Sequence, residues 1–310
     1  MGKLVVAHAE RRAQRILQQL AGATLSPVEV VADDHALIAA VDPDTIAIVD
    51  LALAQAHPGL HERPARAWIA VPGEGSDPAE PQIVERLLAT GWSHIIAHPM
   101  PILAEELLAT VQKLRRREVF GLEKYVAWGA ETRSYTLGDA DERDDAVGLV
   151  TRDVLGVGLP DRIASLVSVI TDELIANALY LAPLDDNHER YRAAEARGRS
   201  RPLRGRDVVT VRWATDARCL AIEVRDRWGT LEPRSVASRL ATGRVKTTGA
   251  PGDAGMGLAL AYACCNQFVI DLEPEVMTEV IALLDVRHRA TELGRSASFH
   301  TFLADAPRES

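Results

Sequence analysis

The first 118 residues alternate short apolar runs with stretches of helical periodicity. "KLVVAH" precedes "ERRAQRILQQL", "VEVVAD" precedes "DHALIAAV", "AWIAVPG" precedes "PQIVERLLATG" and "HIIAHPM" precedes "ILAEELLATVQKLRRR", with "TIAIVDL" as the third apolar run. A strand that is apolar on both sides must be covered on both faces, and amphipathic helices between such strands supply that cover. Five strands and five connecting segments predict an α/β domain with a doubly wound parallel sheet over residues 1–118.

Composition narrows what the whole chain can be. At 310 residues it is long enough for two domains that each bury a core. With 47% hydrophobic and 25% charged residues it matches a globular chain, and no apolar run reaches the roughly 18 residues of a membrane span. The opening "MGKLVVAHAERR" lacks a basic leader and a small-residue cleavage site and reads as a first strand. Cys219, Cys264 and Cys265 have neither metal nor bridge spacing, which fits a reducing cytoplasm. A net charge of −9 argues against nucleic acid as a partner and leaves proteins and small molecules.

Within the first domain, "IAIVDL" resembles the strand of a response-regulator receiver domain that ends in the phospho-acceptor aspartate, which implies a flavodoxin-like fold and makes Asp50 that residue. The pattern departs elsewhere. Ala7 and His8 stand in place of the acidic pair, Val71 in place of a hydroxyl residue, and His98 in place of the lysine before Pro99. Aspartyl phosphorylation needs a divalent cation gathered by several carboxylates. The resemblance is thus to a degenerate receiver used for docking or dimerisation, with Asp50 a vestigial acceptor or simply a strand-end residue.

Residues 101–129 keep near-helical spacing of apolar positions around the basic "KLRRR", so a connecting helix is expected there, pairing with a second copy or packing on its own domain. "GAETRSYTLGDADERDD" reads as linker, so that 119–145 connects the two domains. Seven arginines between Arg190 and Arg206 read as a solvated loop or a phosphate or partner contact.

The chemistry lies in residues 146–310. After Pro160 and Asp161, which mark a helix start, Ile163, Leu166, Val167, Ile170 and Leu174 form one apolar stripe. Asn177 falls within that stripe and Glu173 at its edge. Burying such groups without partners costs about 1–3 kcal/mol each, so the pair is expected to face a ligand cavity. Further on, "CLAIEVRDRWGTL" is a strand ending in Asp226 with Gly229 behind it. "TTGAPGDAGMGLALAYACC" is a glycine-rich loop running into an apolar helix, an arrangement that lets backbone approach an anion. "FVIDLEP" with "VMTEVIALLDV" reads as a hairpin, and "SFHTFL" as a closing strand.

The ordered trio ExxxN, Asp-x-x-Gly and GxxGxGL resembles the GHKL ATPase superfamily, the Bergerat-fold group that contains histidine kinase catalytic domains and anti-sigma-factor kinases. That resemblance implies an α/β sandwich, a mixed sheet with helices on one face, over 146–310, and ATP with Mg²⁺ as cofactors. It implies that Asn177 ligates Mg²⁺, that Glu173 orients or deprotonates the attacking group, and that Asp226 accepts from the adenine amino group. Gly229 belongs to the same box as Asp226. Gly252, Gly255, Met256, Gly257 and Leu258 would line the phosphates, with Lys246, Thr247 and Thr248 on a short lid. Trp228 and Thr230 occupy positions that are glycine in the family, and Tyr180 one that is often lysine.

No histidine lies on a helical segment between residues 119 and 170, which argues against histidine autophosphorylation. Two functions remain from the resemblance, both in bacterial signalling with protein partners. One is a serine/threonine kinase of the anti-sigma-factor type. The other is a nucleotide-gated interaction module without significant turnover.

Overall fold

A computed structural model of the chain describes all residues except 1, 74–81, 100–101, 188, 196–198, 242–255, 288–295 and 305–310. The chain is α/β and divides into two compact units, Met1–Val119 with Gly294–His300, and Phe120–Leu293 with Thr301–Ser310.

In the first unit, β1 (Leu4–Ala7), β2 (Val28–Val31), β3 (Ile46–Asp50), β4 (Ala67–Val71) and β5 (His94–Ile95) run parallel in the order β2-β1-β3-β4-β5. Every residue of β1, β3 and β4 is buried, as their unbroken apolar runs require. The helices are α1 (Arg11–Gly22), α2 (Asp34–Ala40), α3 (Leu51–Ala56), α4 (Gln82–Ala89) and α5 (Ile102–Arg116). Helix α1 buries Ala13, Leu17 and Ala21, one face at i, i+4 and i+8. Leu103, Leu107 and Val111 of α5 join Leu4, Val6, Ile46, Ile48 and Ile69 in one core.

Strand β5 is flanked on its free side by Phe299 and His300, which pair antiparallel with Ile95 and His94. Beneath this edge Glu106 accepts from Ser298 Oγ at 3.0 Å and lies 2.7 Å from His300 Nε2. Burial pushes Glu106 up to about 8 and His300 down to about 3. In both cases burial favours the neutral form.

The helix expected over 101–129 ends at Arg116. Arg117 takes a left-handed φ of 60° and Gly121 a φ of 115°, neither compatible with an α-helix. The stretch expected to be linker is ordered in the second unit. It contains β6 (Thr132–Thr136), paired with β7 (Thr210–Thr215), and the start of α6 (Arg143–Gly156). Polar Thr, Arg and Ser concealed the strand because β6 is an edge, with mostly exposed side chains.

The second unit continues with α7 (Asp161–Ala176), β8 (Cys219–Asp226), α8 (Pro233–Ala241), α9 (Met256–Ala263), β9 (Gln267–Glu273) and β10 (Met277–Asp285). Its strands are antiparallel in the order β9-β10-β8-β7-β6. Strand β11 (Ser298–Leu303) straddles the division of the chain, and Ala304 N just beyond it donates to Leu272 O of β9 at 2.8 Å. Helix α7 packs between α6, α9 and β8. The helical stretch Asp161–Leu181 is long and apolar enough to cross a membrane by length and composition, but 61% of that window is buried within the fold.

Among the described arginines of this stretch, Arg190, Arg199, Arg204 and Arg206 are exposed, as a solvated loop implies, whereas Arg192 is buried and Arg201 half-buried. Arg192 forms a two-pronged bond to Asp207, 2.7 Å on each arm, and Arg201 reaches Glu195 and Asp207. Arg206 donates to three main-chain carbonyls, those of Arg227, Trp228 and Glu275.

Candidate functional site

Helix α7 presents two faces. Asp172 turns away and pairs with buried Arg143 of α6 at 2.6 Å. Glu173, half-buried, turns toward α9, and a Cβ on Gly257 would stand 2.3 Å from its Oε2. Only a glycine in the first turn of α9 lets that carboxylate lie so close, and residues 84 positions apart in sequence are thereby brought together (257 less 173).

At Asn177 the helix changes pitch. Residues Asn177–Leu181 form a π turn, closed by Ala182 N donating to Asn177 O at 3.0 Å. Such turns insert one residue into an α-helix and re-aim side chains, often at functional sites. The half-buried Asn177 is the first residue of the turn, and Tyr180 lies within it.

Strand β8 delivers Asp226 at its end. The carboxylate is 4% exposed, and Oδ1 accepts from Trp228 N at 2.8 Å and Gly229 N at 3.3 Å. Burial raises its pKa to about 6, against the lowering effect of those two amides and of Thr278, which sits opposite on β10. Gly229 has φ 62°, and a Cβ there would meet Glu273 O at 2.3 Å, so no other residue fits this turn. Thr230 Oγ1 donates to Ala182 O at 2.6 Å, which ties the Asp226 segment to the end of the π turn.

Thus Glu173, Asn177, Asp226, Gly229, Gly257 and buried Leu258 lie on elements that are joined directly. Met256 begins α9. Lys246, Thr247, Thr248, Gly252 and Gly255 fall outside the described residues. Gly229 takes the left-handed position of this turn, and the ring of Trp228 before it stacks under Arg206, whose Cζ is 4.5 Å from the ring centroid. From sequence, Arg206 stood out only as one of a run of arginines and Thr230 only as a departure from the family's glycines, with neither contact foreseen. Only the tertiary fold brings the first onto the 227–228 turn and the second onto Ala182.

In the first unit, Asp50 is buried and caps α3. It accepts from Leu53 N at 2.6 Å and from Ala9 N at 2.9 Å. His8 Nδ1 accepts from Glu10 N at 3.0 Å, which leaves the proton on Nε2. No family model matches the chain, and none of the curated proteins matches it.

Proposed function

We propose that the second unit is a Bergerat-type site for ATP with Mg²⁺ in a cytoplasmic signalling protein of the GHKL kind. The observation that carries this reading is convergence. The three sequence motifs, far apart in the chain, are tied together by the Glu173–Gly257 approach and the Thr230–Ala182 bond. The chemistry of the residues fits the group. Asp226 offers a buried acceptor whose second oxygen is not used by the 228–229 turn. The Tyr180 hydroxyl and Trp228 indole N–H are buried without a partner among the described residues. Buried donors left unpaired cost about 1–3 kcal/mol each, which a polar ligand would offset.

In this reading Asp226 accepts from the adenine amino group, Asn177 holds Mg²⁺, and Gly257 and Leu258 open the first turn of α9 to phosphate. ATP supplies a transferable γ-phosphoryl group, and catalysis of its transfer rests on positioning and charge neutralisation. Glu173 holds or accepts the proton of an attacking serine or threonine hydroxyl. The first unit, whose strand order is the flavodoxin-like one, fits a receiver in which Asp50 serves as a helix cap. A docking or dimerisation role for that unit belongs to the same proposal.

The test compares wild type, Glu173→Gln and Asn177→Asp for Mg-ATP affinity and for ATP-dependent phosphorylation of co-purified partners. A kinase loses about 10²- to 10⁴-fold in transfer with Glu173→Gln while keeping nucleotide. A nucleotide-gated module shows no transfer to lose, and Asn177→Asp abolishes the ATP dependence of partner binding. Wild type that binds no adenine nucleotide refutes the reading.

A further inference from the structure

The strand that carries Asp226 on the helix side of the sheet carries a buried charge cluster on the other. Side chains alternate along β8, so Glu223 and Arg225 point away from α7. Cross-strand register sets Arg212 of β7 beside Glu223 and Glu279 of β10 beside Arg225. Glu223 and Glu279 are both fully buried. Arg225 bonds both carboxylates, Nε to Glu279 at 3.1 Å and Nη2 to Glu223 at 3.3 Å, and Arg212 joins Glu223 to Glu123.

The remaining donors come from the main chain. Gly121 N donates to Glu279 Oε1 at 2.8 Å and Leu122 N to Glu223 Oε2 at 3.0 Å. Gly121 can aim its N–H this way because its φ is 115°, where side-chain-bearing residues are strained. These residues open the second unit directly after Val119. Arg225 immediately precedes Asp226, and Glu279 immediately follows Thr278, the residue opposite Asp226. The cluster therefore fixes the two strand ends that hold the Asp226 carboxylate.

We propose that Phe120–Lys124 is a latch on the outer face of the sheet whose docking onto Glu223 and Glu279 sets the affinity of the Asp226 site. This inference rests on the nucleotide reading above. When the latch is docked, Arg225 and Glu279 hold β8 and β10 in register, and Asp226 is preorganised. When it lifts, two buried carboxylates lose donors and the strand ends loosen. By thermodynamic linkage, a ligand that gains affinity from the docked latch must strengthen the docking by the same factor.

The test uses the full chain, with hydrogen exchange of the peptide spanning 120–126 and calorimetric titration with Mg²⁺ and a non-hydrolysable ATP analogue. Gly121→Ala alters only the latch; its Cβ would stand 3.1 Å from Glu123 Oε2 and 3.2 Å from Lys124 Nζ, away from the nucleotide residues. Expected are exchange at least about tenfold faster and analogue affinity roughly fivefold weaker or more. In wild type, saturating analogue should slow exchange of the same peptide. Glu279→Gln, which keeps the acceptor and removes the charge, should shift both readouts in the same direction, and decides the matter if Gly121→Ala does not fold. Faster exchange with affinity within about twofold of wild type would overturn the coupling, and wild-type exchange in both variants would overturn the latch. Wild type that binds no analogue removes the nucleotide reading and the coupling with it.

Discussion

Replacing Asp226 by asparagine should make the empty protein more stable and the nucleotide site weaker. Burial raises this carboxyl from an ordinary 3.8 to about 6. Each factor of ten in proton affinity is worth about 1.36 kcal/mol, so the ionised group costs the folded state on the order of 3 kcal/mol. The sign follows from the folded value lying above the unfolded one. Wild type has its full stability below about pH 4, loses it as pH rises toward 6, and stays at the lower level beyond. The asparagine variant has no proton to lose at this position and avoids that decline. The stability difference between variant and wild type should therefore grow by about 2 kcal/mol from pH 4 to pH 7. The Trp228 and Gly229 amides keep an acceptor in the variant, so the turn itself survives. Hydrogen exchange of β8 and β10 peptides at several pH values reads the difference locally, which avoids assuming that two units unfold together. At pH 7 the same variant should bind ATP roughly tenfold more weakly or worse, because an amide N–H₂ replaces one acceptor oxygen. A stability difference that is flat with pH would refute the burial argument. Unchanged ATP affinity would refute the role given to Asp226.

Other substitutions test separate features. Gly229→Ala should lose more than about 2 kcal/mol, because left-handed backbone costs about 1–2 kcal/mol and the new Cβ would strike Glu273 O at 2.3 Å; thermal unfolding and exchange at the β9–β10 turn would report it. Asp50→Ala should cost about 1 kcal/mol as a lost helix cap, and acetyl phosphate should leave wild type without a labile adduct in intact-mass spectra. Arg192→Ala should cost about 1–3 kcal/mol by leaving Asp207 short of two donors. Arg192→Lys should not restore it, because an ammonium cannot bridge both oxygens in plane.

Strands β1, β3 and β4 of the first unit were legible because their burial on both faces leaves no polar residue to interrupt them. Glu173 and Asn177 of the α7 stretch stood out for the opposite reason, since they are polar where a core helix should be apolar. What stayed hidden was set by partners remote in sequence. Thr132–Thr136 carries no alternation because it lies at an edge and is a strand only by pairing with β7. The helix end at Arg116 was missed because apolar residues from Leu122 onward continue a helical spacing by coincidence, while Arg117 and Gly121 bend the chain away. The bonds of Arg192 and Arg201 to Asp207 and of Arg206 to main-chain carbonyls stayed hidden because those acceptors are invisible to composition.

The π turn at Asn177–Leu181 makes this part of the chain sensitive to its length more than to its content. One residue fewer between Asn177 and Ala182 would return the helix to about 3.6 residues per turn and rotate everything after it by about 100°. The Ala182 carbonyl would swing out of reach of Thr230, which now donates to it at 2.6 Å. Substitutions of matching size at Ala178 or Leu179 keep that count, whereas a single deletion does not. A homologous chain that lacks the extra residue would have to hold its second motif by some other bond, so a one-residue gap at this point in an alignment would mark where the two architectures part.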